Sequence, residues 1–159
     1  MNIFPESSFF KERRAPTLPT PAEIRAINEA AGRSTDFHRP PPVTIPSLGL
    51  FVKYGADVTA VEAQTQIMVR EQLKGRVPVP EVFGWTQDKN QRFIYMSLIE
   101  GETLQEKWCD LNEDERQAIC VELKRMVKAW RALETDAPDC YIGKSIPSDG
   151  SKPNLEVYL

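Results

Sequence analysis

The stretch Gly49-Leu50-Phe51-Val52-Lys53-Tyr54-Gly55 sets a single lysine in the middle of an apolar run. Side chains alternate along an extended chain, so Phe51 and Lys53 fall on one face and Leu50, Val52 and Tyr54 on the other. A cation sharing a buried face with an aromatic is costly unless a carboxylate or an anionic ligand compensates it. The run therefore predicts a strand that buries Lys53 and supplies it with a partner. The alternative is that Lys53 snorkels to the strand edge.

A partner follows in the next segment. Residues 56–76, ADVTAVEAQTQIMVREQLKGR, carry Thr59 and Glu62 at capping-box spacing, apolar Val61, Ile67, Met68 and Leu73, and Gly75 as a terminator, which predicts a helix of about 14 residues. Glu62 has two readings, a partner for Lys53 or the closing half of its own capping box. Val77-Pro78-Val79-Pro80 is extended, because each proline restricts the residue before it. It leads into a short strand, Glu81-Val82-Phe83, and Asp88-Lys89-Asn90 then turns the chain into the strand Arg92–Ser97, rich in aromatic and β-branched residues.

Upstream, Thr20-Pro21-Ala22-Glu23 opens a helix with a cap, a first-turn proline and a glutamate at the third position; Ile24, Ile27 and Ala31 make a thin apolar stripe that places it on a surface. Residues 1–19 read as an irregular arm with aromatics that dock elsewhere. FHRPPPVTIP (37–46) is a proline-rich connector holding His38, the one histidine in 159 residues. A multi-histidine metal site is thereby excluded, and a solvated loop histidine is the simplest role for it. Beyond Gly101 the chain turns helical. After a short piece around Leu104 and Trp108, Asn112 caps a long helix over 113–134, whose Ile119, Leu123, Met126, Val127, Trp130 and Leu133 form one apolar stripe. The tail, 136–159, reads as loop.

With 41% hydrophobic and 27% charged residues the chain suits one compact domain, divided as arm and helix (1–42), sheet and helix (43–101) and helical linker with tail (102–159). A net charge of -3 without an arginine-rich run argues against nucleic acid as partner. No segment approaches the ~20 apolar residues of a membrane span, and the N-terminus lacks a signal-peptide core. Cys109, Cys120 and Cys140 are odd in number and lack C-x-x-C spacing, which predicts reduced packing residues in a cytoplasmic protein.

The order of parts, with VKYGADVTAVEAQ (52–64), VPVPEVFGW (77–85), FIYMSLIEGETLQEKW (93–108) and ELKRMVKAWRALE (122–134), resembles the aminoglycoside phosphotransferase and choline-kinase-like family, especially its fungal members, over residues 43–143. The resemblance implies an α+β fold, the N-terminal lobe of a kinase: a small antiparallel sheet with a helix after the lysine strand and a long amphipathic helix packed on it or on a partner. It implies that Lys53 contacts nucleotide phosphates, that Glu62 pairs with it, and that Ser97 to Ile99 form a hinge whose backbone meets adenine. A phosphotransferase of this kind also needs H-G-D-x-x-x-x-N and a further metal-binding aspartate in a second lobe. No His-Gly-Asp occurs here. Asp149 to Asn154 reproduces only the D-x-x-x-x-N spacing, and a glycine-rich phosphate-cradling hairpin before the lysine strand is also missing.

Three functions remain. In the first the protein is no kinase alone and uses no cofactor. Its cleft, floored by Phe51 and Lys53 and walled by Trp85, Tyr95 and Trp108, holds an apolar small molecule for an intramolecular cyclisation, Diels-Alder cycloaddition or isomerisation in secondary metabolism, with Lys53 polarising a carbonyl. In the second it is a pseudokinase that binds ATP, or a regulatory module. In the third it is a fragment of a longer phosphotransferase. The long helix would either fold back over the strands or meet a second copy as a homodimer.

Overall fold

The fold was obtained as a computed structural model, which describes residues 1–133. It is α+β. Five antiparallel strands, β1 (Asn2–Ile3), β2 (Val43–Ile45), β3 (Leu50–Gly55), β4 (Val82–Asp88) and β5 (Gln91–Ser97), form one sheet in the order β1-β4-β5-β3-β2. The helices are α1 (Ser8–Lys11), α2 (Pro21–Ala30), α3 (Ala60–Gln72), α4 (Leu104–Lys107) and α5 (Glu113–Arg131).

Local signals explain most boundaries. The caps at Thr20, Thr59, Thr103 and Asn112 each accept from the third helical backbone N–H, and a glutamate at that position returns the bond, satisfying two otherwise orphaned donors per helix. Lys89 and Asn90 take positive φ values of 49° and 62° between the paired Asp88 and Gln91, the two-residue turn whose twist matches a hairpin. β4 therefore runs through Asp88 rather than ending at Phe83, because the tight turn lets pairing continue to its edge.

The alternation in β3 holds, and it splits the interior in two. Leu50, Val52 and Tyr54 join Phe83, Phe93, Tyr95, Phe9 and Ile24 under α2, whereas Phe51 lies with Ile94, Met96, Val82, Ala63 and Ile67 under α3. Two sequence expectations change here. The N-terminal arm is not irregular: β1 pairs with β4, and Phe9 is fully buried, its ring 5.3 Å from Phe83. Gly84 permits this, since a Cβ there would sit 2.5 Å from the Asn2 carbonyl oxygen. Likewise α2 is no mere surface helix. Ile24 and Asn28 are wholly buried, Asn28 donating to the Tyr54 hydroxyl (2.9 Å) and the Pro41 carbonyl (2.6 Å), and Arg25 reaches Asp88 and lies over the Phe93 ring.

Tyr95 is also fully buried, and among the described residues its hydroxyl has no hydrogen-bond partner. Burial, chiefly, pushes its pKa above the usual phenol range. An unsatisfied buried hydroxyl costs free energy that a phenyl ring does not. Tyr95→Phe is thus expected to raise stability by about 1 kcal/mol, read as a higher melting temperature; a lower one would show that the hydroxyl has a partner.

α5 leaves half of its stripe in solvent: Leu123, Val127 and Trp130 are exposed, as is Val121, while Ile119, Met126 and Leu133 are half-buried. Among the described residues it makes no extensive contact with the strands. Cys109 and Cys120 are exposed and free rather than packing residues; Cys140, the D-x-x-x-x-N spacing and the rest of the tail lie outside the described residues. Among the described residues no helix is long and apolar enough to cross a membrane.

Candidate functional site

Lys53 emerges from β3 on the face covered by α3, at the margin of that helix rather than beneath it. Its side chain is 52% exposed, so it is not buried as the apolar run predicted. The run is apolar because both of its faces carry core, Phe51 sharing the lysine's side; Lys53 itself opens beside the first turn of α3. There Nζ pairs with Glu62 Oε2, while Glu62 Oε1 accepts from the Thr59 backbone N–H at 2.9 Å. The two readings of Glu62 are thus both realised, one per oxygen. A half-exposed ion pair contributes at most about 1 kcal/mol to stability, so the pair positions a cation more than it holds the fold together.

The pair lines a cavity of about 630 Å³ together with His38, Arg39, Phe51 and Asp57. The opposite wall is the segment 36–42, most of it within the proline-rich connector. This strap is fixed at many points. Asp36 Oδ1 accepts from the backbone N–H groups of His38 (2.8 Å) and Arg39 (2.6 Å), an Asx-type turn. Phe37 and His38 carbonyls accept from the Ala56 (3.0 Å) and Asp57 (3.3 Å) N–H groups, and Gln91 donates to the Phe37 carbonyl at 2.9 Å. Gly55 makes the approach possible: its φ is +143°, and a Cβ would lie 2.1 Å from the His38 carbonyl oxygen. Asp57 then meets His38 Nδ1 at 3.1 Å and Arg39 Nε at 2.8 Å. Hydrogen bonds from Arg39 and then His38 hold its carboxyl below the usual carboxylate range.

The other expected site residues do not converge on this cavity. Tyr95 points into the opposite core, because it is paired with Val52 and shares its face. Trp85 is on the lysine face but packs against Phe4 of the arm, ring centroids 5.4 Å apart. Trp108 caps α4 with the Arg116 guanidinium 5.6 Å from its ring centre. In the expected hinge, Ser97 N–H donates to the Glu81 carbonyl (2.8 Å) and Leu98 N–H to the Gly49 carbonyl (2.9 Å), so both are already engaged; Ile99 is exposed. A separate groove of about 530 Å³, largely apolar, lies between the outer face of α3, the Val79-Pro80 run and Trp130, with Glu62 at its rim. Sequence reasoning missed Arg39 and Asp57. Neither belongs to a periodic pattern, and the only local hint was Gly55 two residues before Asp57.

Among the described residues no three His, Cys, Asp or Glu side chains come together as a metal ion requires. Magnesium, which the resemblance implies for phosphoryl transfer, finds no such donor set among these residues.

No protein-family profile matches the chain, and no solved structure matches it. Two curated proteins do, both described as "Subtelomeric hrmA-associated cluster protein", from two strains of Aspergillus fumigatus; each is 38% identical over 72 residues, 43% of this chain. The match spans 14% of the length of those relatives.

Proposed function

We propose that this region is the nucleotide-gripping lobe of a phosphotransferase-like protein, binding ATP through Lys53 without moving its phosphate unaided. The single observation carrying this is the ion pair: a lysine on a central strand, set by a glutamate from the helix that follows, at the mouth of an open cavity. The pair adds little to stability, and a lysine so held offers an ammonium to a phosphate. The sheet, the helix after the lysine strand and the motif order support assigning the fold to a kinase-like N-terminal lobe. Residues 1–159 contain no His-Gly-Asp triplet, so the proposal extends to binding and not to transfer.

Calorimetric titration of ATP into the full chain tests it. Wild type is expected to bind, and Lys53→Met to weaken binding at least about tenfold, the loss of one charge-assisted contact, with an unchanged melting temperature before ligand is added. Equal affinity of the two proteins would overturn it. Holding an apolar molecule for cyclisation is a second proposal, and it draws on the groove beside Trp130, since the expected aromatic walls do not surround Lys53.

A further inference from the structure

The cavity beside Lys53 has an asymmetry of donors and acceptors. All four oxygens of its two carboxylates have protein partners: Asp57 Oδ1 faces His38 Nδ1, Asp57 Oδ2 accepts from Arg39, Glu62 Oε1 from the Thr59 N–H and Glu62 Oε2 from Lys53. The lysine is not matched in the same way. The Lys53 ammonium has three N–H donors and directs one at Glu62, and the Arg39 side chain is 84% exposed although its Nε is held by Asp57. The carboxylates therefore orient the cations without exhausting the lysine, and what the cleft offers a ligand is donors. A ligand that fits must be rich in acceptors.

Position sharpens the class. Arg39 comes from the strap and Lys53 from β3, so the positive groups stand on two different elements flanking one cavity of about 630 Å³. The strap cannot drift, because the Asp36 turn fixes its own backbone and its Phe37 and His38 carbonyls accept from Ala56 and Asp57, the two residues that follow β3. Two cations on separate walls, each oriented by a carboxylate, suit an extended anion with charge along its length better than a point charge.

The geometry points to the strap 36–42 as the second jaw of a polyphosphate site, in which the Arg39 guanidinium and the Lys53 ammonium engage different phosphates of one chain. This rests on the assignment of Lys53 as a phosphate contact and adds a residue and an element to it. In a chain without a glycine-rich hairpin before the lysine strand, the proline-stiffened strap does the cradling, with side-chain charge in place of backbone N–H groups. Phe51 and Val58 line the same cavity and leave an apolar surface for whatever the phosphates carry.

Magnesium-free titrations of the full chain with ATP, sodium tripolyphosphate and adenosine separate this from the reading beneath it. Wild type is expected to bind ATP and tripolyphosphate, Arg39→Gln to bind both about tenfold more weakly with adenosine unaffected, and Arg39→Lys to recover part of the loss. Added salt should weaken the wild type more steeply than Arg39→Gln. If wild type and Arg39→Gln bind ATP alike, the strap is no jaw, while the nucleotide assignment survives. If tripolyphosphate binds through Arg39 but ATP does not bind, the jaw stands and the nucleotide assignment falls. Binding of neither overturns both. Arg39 is exposed, so its replacement leaves the fold intact, which an unchanged melting temperature checks.

Discussion

Phe9→Ala is expected to destabilise the protein by about 3–5 kcal/mol, the usual cost of emptying a fully buried aromatic site, and to lower its melting temperature by on the order of 10 °C. The size of the effect follows from where the ring sits. Phe9 has no exposed surface and packs against Phe10 and Phe83, with ring centroids 5.1 and 5.3 Å away. It is thus part of the larger core, contributed by the first ten residues and closed over the sheet by Ser8, whose hydroxyl donates to Glu81 Oε2 at 2.7 Å. Because α1 is only four residues long, it has little stability of its own and depends on this anchoring. A shift of less than about 2 °C, the response to under 1 kcal/mol, would mean that the arm is not part of the core. Ile3→Ala is the matched control: Ile3 is largely exposed, and surface changes of this kind stay within about 0.5 kcal/mol.

Gly55→Ala should have the second large effect, and a different one. The backbone at Gly55 has a φ of +143°, a region closed to L side chains, and the new methyl would collide with the His38 carbonyl oxygen, a backbone atom that cannot swing aside. Strain of this kind costs about 1–3 kcal/mol. It is relieved most easily by lifting the strap off the end of β3, since the alternative is to bend a strand paired on both sides. Hydrogen exchange then gives the readout: the Ala56 and Asp57 amides, which donate to the Phe37 and His38 carbonyls, should lose protection while the β4–β5 amides keep theirs. Lifting the strap also carries Arg39 away from Lys53, so tripolyphosphate affinity should fall together with protection. Retained protection at Ala56 and Asp57 would show that the strap is held by other contacts.

These two substitutions probe features that differ in how visible they are from the chain alone. The helix starts were legible because a capping box is closed within four residues: Thr20 with Glu23, Thr59 with Glu62, Asn112 with Glu115. The facing of β3 was legible for a similar reason. A period of two is a property of the extended backbone, and Phe51 and Lys53 had to share a side whatever else the protein did. Even the Lys53–Glu62 pairing follows from short-range order, since a strand passing directly into a helix returns the first helical turn to the strand end.

What the sequence by itself determined is therefore local: the longer helices and their caps, the strands β3 and β5, the alternation along β3 and the carboxylate offered to its lysine. Only the tertiary structure decided where the core on the lysine face ends and the cleft begins, and with it the exposure of Lys53, the burial of Phe9 and the placing of Tyr95 opposite the site. It also brought Arg39 and Asp57 together across 18 residues of chain and set both beside the lysine. The physical reason is that burial and ion pairing depend on what arrives from distant segments, and neither leaves a periodic trace in the chain. A proline-rich stretch reads as connector until the sheet that it packs against exists, and then it becomes a wall.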